Sequence, residues 1–136
     1  MIIYGALDSV IQKGLLLRLY CHIFGVPHFG SHIRFGYLRR YIHPSKDERI
    51  LDLGCGDGTL LNLVAYHYGC SGVGVDRLSE RVNKAVKVKD TFKLDVRYYT
   101  SDICEYLDIV KSEKFNKIFL TEVLEHVVEP VAVMTA

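Results

Sequence analysis

The sequence predicts an α/β domain, a parallel sheet of about four strands with helices on both faces, preceded by two helices. Three observations carry that prediction. From residue 49 onward, short apolar runs alternate with segments of helical period, the order expected of strand, helix, strand, helix. One of those runs passes through a glycine-rich turn directly into an amphipathic helix. Three of the runs end on, or just beside, an aspartate.

The chain has 136 residues, enough for one core without disulfides or structural metal. Seventeen Lys plus Arg stand against sixteen Asp plus Glu, so no excess of positive charge argues for nucleic acid. Cys21, Cys55, Cys70 and Cys104 form no C-x-x-C pair, which leaves reduced thiols and a cytoplasmic location as the expectation. Asp8, Lys13 and Arg18 interrupt the first apolar stretch, and no run approaches the ~20 apolar residues of a membrane span.

Over residues 1–24, Leu7, Val10, Ile11, Leu15, Leu19 and Ile23 recur at helical spacing, and Gly25 and Pro27 end the pattern. Leu16, Leu17, Tyr20 and Phe24 widen the apolar arc, so this helix must cover its own domain, a partner or a membrane surface; packing on its own domain is the expectation. A second helix is predicted from Ser31, a good N-cap, to Ile42, closed by His43-Pro44. Arg34, Arg39 and Arg40 lie among its tyrosines and read as a solvated face. Residues 1–44 thus form an N-terminal helical segment, and 45–136 the α/β unit.

The strands are predicted at Arg49 to Leu53, Gly72 to Val75, Val96 to Thr100 and Lys117 to Thr121. The first helix between them is marked by Leu60, Leu61, Val64 and Tyr68. The second begins near Ser79 with Val82, Ala85 and Val86 inward, and the third carries Ile103, Tyr106, Leu107 and Val110.

The segment from Ile50 to Leu61 contains Gly54, Gly56 and Gly58 between strand and helix. Glycine permits a sharp bend and the close approach of a ligand, while the helix that follows offers free N–H groups and the positive end of its dipole. The spacing G-x-G-x-G departs from the dinucleotide fingerprint G-x-G-x-x-G, and no Gly-Lys-Ser/Thr follows to make a P-loop. Asp76 ends the second strand about twenty residues on, where a carboxylate accepts ribose hydroxyls. Asp102, after the third strand, suits an adenine amino group or, equally, a helix N-cap. Acidic strand tips favour a cationic nucleoside without phosphate.

These residues resemble the cofactor half of class I S-adenosylmethionine-dependent methyltransferases. The first family motif is matched by Asp52, Gly54, Gly56 and Gly58, the later acidic tips by Asp76 and Asp102, and the motif after the fourth strand by residues 118–127. The resemblance covers about residues 31–136 and implies a Rossmann-like fold that is incomplete, because the family sheet has seven strands and four are encoded. It implies that Asp52 and the backbone of Gly54 and Gly56 hold the methionine part, Asp76 the ribose diol, and Asp102 with the Ile103 N–H the adenine. Thr121 joins this cofactor set, and His126 is the candidate general base.

Were residues 122–126 helical, Glu122, Glu125 and His126 would share a face like a divalent-cation site. The same letters resemble the small-RNA 2′-O-methyltransferases and the ubiquinone-pathway O-methyltransferases, which are metal-assisted. Many small-molecule members carry Leu-Glu-His without metal, so no metal is assigned and magnesium is kept as the alternative. The family strand order leaves strand four as an open edge, a place for self-association. Methyl transfer to a small-molecule acceptor is the expected function. The alternatives are a non-catalytic module that binds cofactor or partner and, less consistent with the glycine spacing, half of a nucleotide-dependent oxidoreductase.

Overall fold

The computed structural model describes residues 41–124 and 130–135. Most of the two N-terminal helices expected over 1–24 and 31–42 lies outside these residues, as do Glu125 and His126. The chain divides into two compact units at Pro44–Ser45, and the second holds the sheet.

Four strands, β1 (Arg49–Leu53), β2 (Ser71–Asp76), β3 (Val96–Thr100) and β4 (Lys117–Phe119), form one parallel sheet in the order β3-β2-β1-β4. Helices α1 (Thr59–Tyr68), α2 (Ser79–Phe92) and α3 (Ile103–Ile109) connect them, and α4 (Pro130–Thr135) follows β4. The prediction of a four-stranded parallel sheet therefore holds, with shifts at the boundaries. β2 gains a residue at each end, whereas β4 stops at Phe119 instead of Thr121.

β1 and β2 lie in the middle of the sheet and are buried along nearly their whole length, as parallel strands covered on both faces must be. Leu51, Leu53, Val73 and Val75 point to one face and pack with Tyr106 and Val110 near α3 and Val133 of α4. Side chains alternate along a strand, so Gly72, Gly74 and Asp76 of β2 occupy the opposite face. There α1 and α2 close on the sheet: Leu61 Cδ1 lies 2.7 Å from where a Cβ of Gly72 would stand. Burying apolar side chains at about 25 cal/mol per Å² makes these two layers the main stabilising term.

The helices follow their apolar spacing. In α2 the buried residues are Val82, Ala85 and Val88; Val86, expected inward, is only half-buried because the packed face runs at i, i+3, i+6. Asn62 of α1 is fully buried and donates from Nδ2 to the Ala85 carbonyl at 3.1 Å, tying α1 to α2. The short β4 is registered at its start by backbone and side-chain bonds. Asn116 N donates to Arg49 O and Arg49 N to Asn116 Oδ1, each at 2.8 Å, and Lys117 Nζ reaches both oxygens of Glu48 at 2.7 Å. Beyond β4 no further strand occurs among the described residues, and Ile118 is 55% exposed at that edge.

Candidate functional site

After Leu53 the chain bends through Gly54, Gly56 and Gly58, whose φ values are +74°, +55° and +69°. An L side chain in this left-handed region is disfavoured by roughly 1–2 kcal/mol. At Gly54 the demand is double, since a Cβ would also collide with Val123 Cγ2 in the segment after β4. The bend is pinned by Gly54 N and Cys55 N, which both donate to Val75 O at 2.8 and 3.0 Å, and by Gly58 N on Cys55 O at 2.9 Å. It feeds into α1, whose N-cap Gly58 supplies no side-chain acceptor. The N-terminal N–H groups of α1 therefore face the strand ends uncapped by a side chain.

Asp76 closes the bend from β2. Its Oδ2 accepts from Gly56 N and its Oδ1 from Leu78 N, both at 2.9 Å. Each carboxylate oxygen keeps a second lone pair, so the group retains acceptor capacity for hydroxyls. Leu78 stands beside it with an apolar side chain 49% exposed, although nothing in the one-dimensional pattern distinguished that residue.

Asp52 is different. It is 1% exposed, and its Oδ1 has no hydrogen-bond partner among the described residues. Burial first, and then the nearby charge of Asp76, raise its carboxyl from the ordinary 3.8 to about 7. A buried acceptor without a donor is costly, and such groups concentrate where a ligand supplies the missing partner.

The register explains the enclosure. Tyr98 pairs with Gly74, Gly74 with Asp52, and Asp52 with Phe119, so one row crosses all four strands on the face covered by α1 and α2. Where Gly74 has no side chain, the Tyr98 ring fills the space, and Cys55 Sγ approaches the same point. Burial pushes the Tyr98 phenol and the Cys55 thiol upward, so both are neutral groups at ordinary pH. Cys55 is thus a small packing residue and no nucleophile.

The remaining candidates fall as follows. Asp102 is the N-cap of α3, its Oδ1 accepting from Cys104 N at 2.8 Å, and Ile103 is the first residue of that helix. Ser101 N donates to Asp76 O at 3.1 Å, which brings the third tip beside the second. Thr121 lies past the end of β4, half-buried. Glu122 has φ +55°, in the left-handed region, and its two partners in the conditional cation face, Glu125 and His126, lie outside the described residues. Sequence reasoning missed Tyr98, Leu78 and Val123, all of which acquire their place through pairing or packing and carry no local signal.

An open parallel sheet with a glycine bend and acidic tips at its C-terminal edge is the architecture of a nucleotide- or nucleoside-binding α/β domain. Residues 44–136 match the family model described as "Methyltransferase domain", and the chain belongs to that family. The oxidoreductase alternative is thereby set aside. A ubiquinone biosynthesis O-methyltransferase of Dinoroseobacter shibae is 30% identical over 122 residues, spanning 80% of this chain and 47% of that protein. Its counterpart in Coxiella burnetii is 32% identical over 103 residues, 76% of this chain and 42% of the relative. The crystal structure of a SAM-dependent methyltransferase from Thiobacillus denitrificans, in complex with S-adenosyl-L-homocysteine, aligns with a TM-score of 0.62 at 17% identity, covering 90% of this chain and 50% of that one. That likeness shows a shared fold, the Rossmann-like class I methyltransferase architecture in part. The chain spans about half the length of the curated relatives it matches. Among the described residues no helix is long and apolar enough to cross a membrane.

Proposed function

We propose that this chain is the cofactor-binding half of an S-adenosylmethionine-dependent methyltransferase acting on a small-molecule acceptor. The carrying observation is the orphaned Asp52 carboxyl under a three-glycine bend, beside Asp76. An ammonium is the partner that such a carboxyl lacks, and the amino acid part of S-adenosylmethionine has one. In this reading Gly54 and Gly56 lie along that part through their backbone, Asp76 accepts the ribose hydroxyls, and Asp102 with the Ile103 N–H takes the adenine. Thr121 borders the pocket from the β4 side. The S-adenosyl-L-homocysteine bound to the Thiobacillus protein of the same fold supports the choice of cofactor.

S-adenosylmethionine supplies a methyl group on a sulfonium, ready for in-line displacement. The chain's residues bind, align and exclude water, which is proximity catalysis. His126 is the proposed general base that takes a proton from the acceptor where one must leave. The ubiquinone-pathway relatives support a hydroxyl acceptor. Free Cys55, Cys70 and Cys104 suit a reducing, cytoplasmic compartment.

Calorimetry with S-adenosylmethionine, S-adenosylhomocysteine and NAD tests the reading. Binding of the first two and not the third is expected; failure of both sulfur nucleosides to bind refutes it. Binding without methyl transfer to any pool of hydroxylated acceptors favours the non-catalytic alternative. Self-association through the outer edge of β4 belongs to the same proposal, supported by Ile118 exposed there. Light scattering should detect association that Ile118→Lys reduces, and a monomer at every concentration refutes it.

A further inference from the structure

We infer that Tyr98 is a positioning residue that sets the glycine bend from the edge strand β3. The inference rests on the cofactor reading above. Tyr98 lies two strands away from β1, yet its ring edge meets β2 and its hydroxyl reaches the bend. At the ring edge, the space that a Gly74 Cβ would need is taken by Tyr98 Cδ1 and Cε1. At the hydroxyl, Oη lies 2.6 Å from where a Gly58 Cβ would stand and donates to the Gly58 carbonyl at 3.4 Å.

Two glycines that look unrelated in the sequence, Gly58 in the bend and Gly74 in a strand, therefore both leave room for the same ring, Gly58 being required also by its φ of +69° and by Ala85 Cβ, 2.5 Å from where its Cβ would stand. Together they make a channel for a single aromatic side chain, which crosses β2 and ends under the first turn of α1. Gly58 O also accepts from Asn62 N at 2.9 Å, so the phenol meets the point where the bend becomes helix. The hydrogen bond is long and contributes little; the rigid ring supplies most of the support. Removing the ring opens space beneath Cys55 and Gly58, and the backbone of the bend loses the packed support that fixes its path. Geometry held by a packed supporting side chain is what a binding backbone requires.

The test uses Tyr98→Leu, which keeps an apolar strand residue too short to reach Gly58, and Tyr98→Phe, which keeps the ring. Two ligands separate the bend from the rest of the pocket. S-adenosylhomocysteine has the amino acid part, whereas 5′-methylthioadenosine has the nucleoside without it. Tyr98→Leu should weaken S-adenosylhomocysteine at least about tenfold, leave 5′-methylthioadenosine unchanged, and speed amide exchange over residues 54–58 in the ligand-free protein. Tyr98→Phe should stay within about threefold of the parent, since only one long hydrogen bond is lost. Unchanged affinity and exchange in Tyr98→Leu overturn the inference, as does a proportional loss of both ligands with a fall in melting temperature. If the parent protein binds neither ligand, the cofactor reading fails, and the exchange experiment alone decides the role of Tyr98.

Discussion

Asp52→Asn should change the pH dependence of stability in a defined direction. In the folded protein the Asp52 carboxyl is raised by burial and by Asp76 from 3.8 to about 7. Between those values the folded state holds a proton that the unfolded chain has released, so stability falls as pH rises from about 4 to about 7 and then levels. A span of about three pH units at about 1.4 kcal/mol each places the ceiling of this loss near ~4 kcal/mol. Asparagine has nearly the same shape and never ionises. It leaves a buried amide instead, a constant penalty of about 1–3 kcal/mol that does not vary with pH. The slope is therefore the informative quantity.

Urea titrations of both proteins from about pH 4 to about pH 8 should show the parent losing stability relative to Asp52→Asn, with the difference growing toward ~4 kcal/mol. On the proposed cofactor reading, saturating S-adenosylhomocysteine should flatten the parent's curve, because its ammonium would pair with the carboxylate. Parallel curves for the two proteins would refute the reasoning: the carboxyl would then have found a donor or water in the folded state.

Two other substitutions probe the same edge. Gly54→Ala places a Cβ at φ +74° against Val123 and should destabilise the fold by more than the roughly 1–3 kcal/mol of backbone strain alone; a denaturation midpoint equal to the parent's contradicts the packing described. Asp102→Ser keeps a hydroxyl to cap α3 and should leave stability within about 1 kcal/mol while lowering nucleoside affinity in calorimetry, whereas unchanged affinity assigns Asp102 to capping alone.

The alternation of strand and helix from residue 49 onward was legible because each element is local: apolar runs of strand length, helical spacing, and glycines at a bend are properties of neighbouring residues. The same holds for Asp76, whose place at a strand tip follows from the run before it. Asp102 was legible only as two alternatives, and the structure shows its capping bond to Cys104 N. The left-handed conformation of Glu122 was not legible, since a single such residue in a chain of helix formers leaves no periodic signature.

Sequence by itself determined a parallel α/β sheet, the glycine bend and the acidic tips, because backbone preference and side-chain period act over a few residues. Tertiary structure alone decided that Asp52 lies in a row between Tyr98 and Phe119, with the Tyr98 ring filling the space at Gly74. Strand register aligns residues more than forty positions apart, and register is settled by the packing of whole faces. A carboxyl becomes an unpaired, half-neutral group only once that row has closed around it.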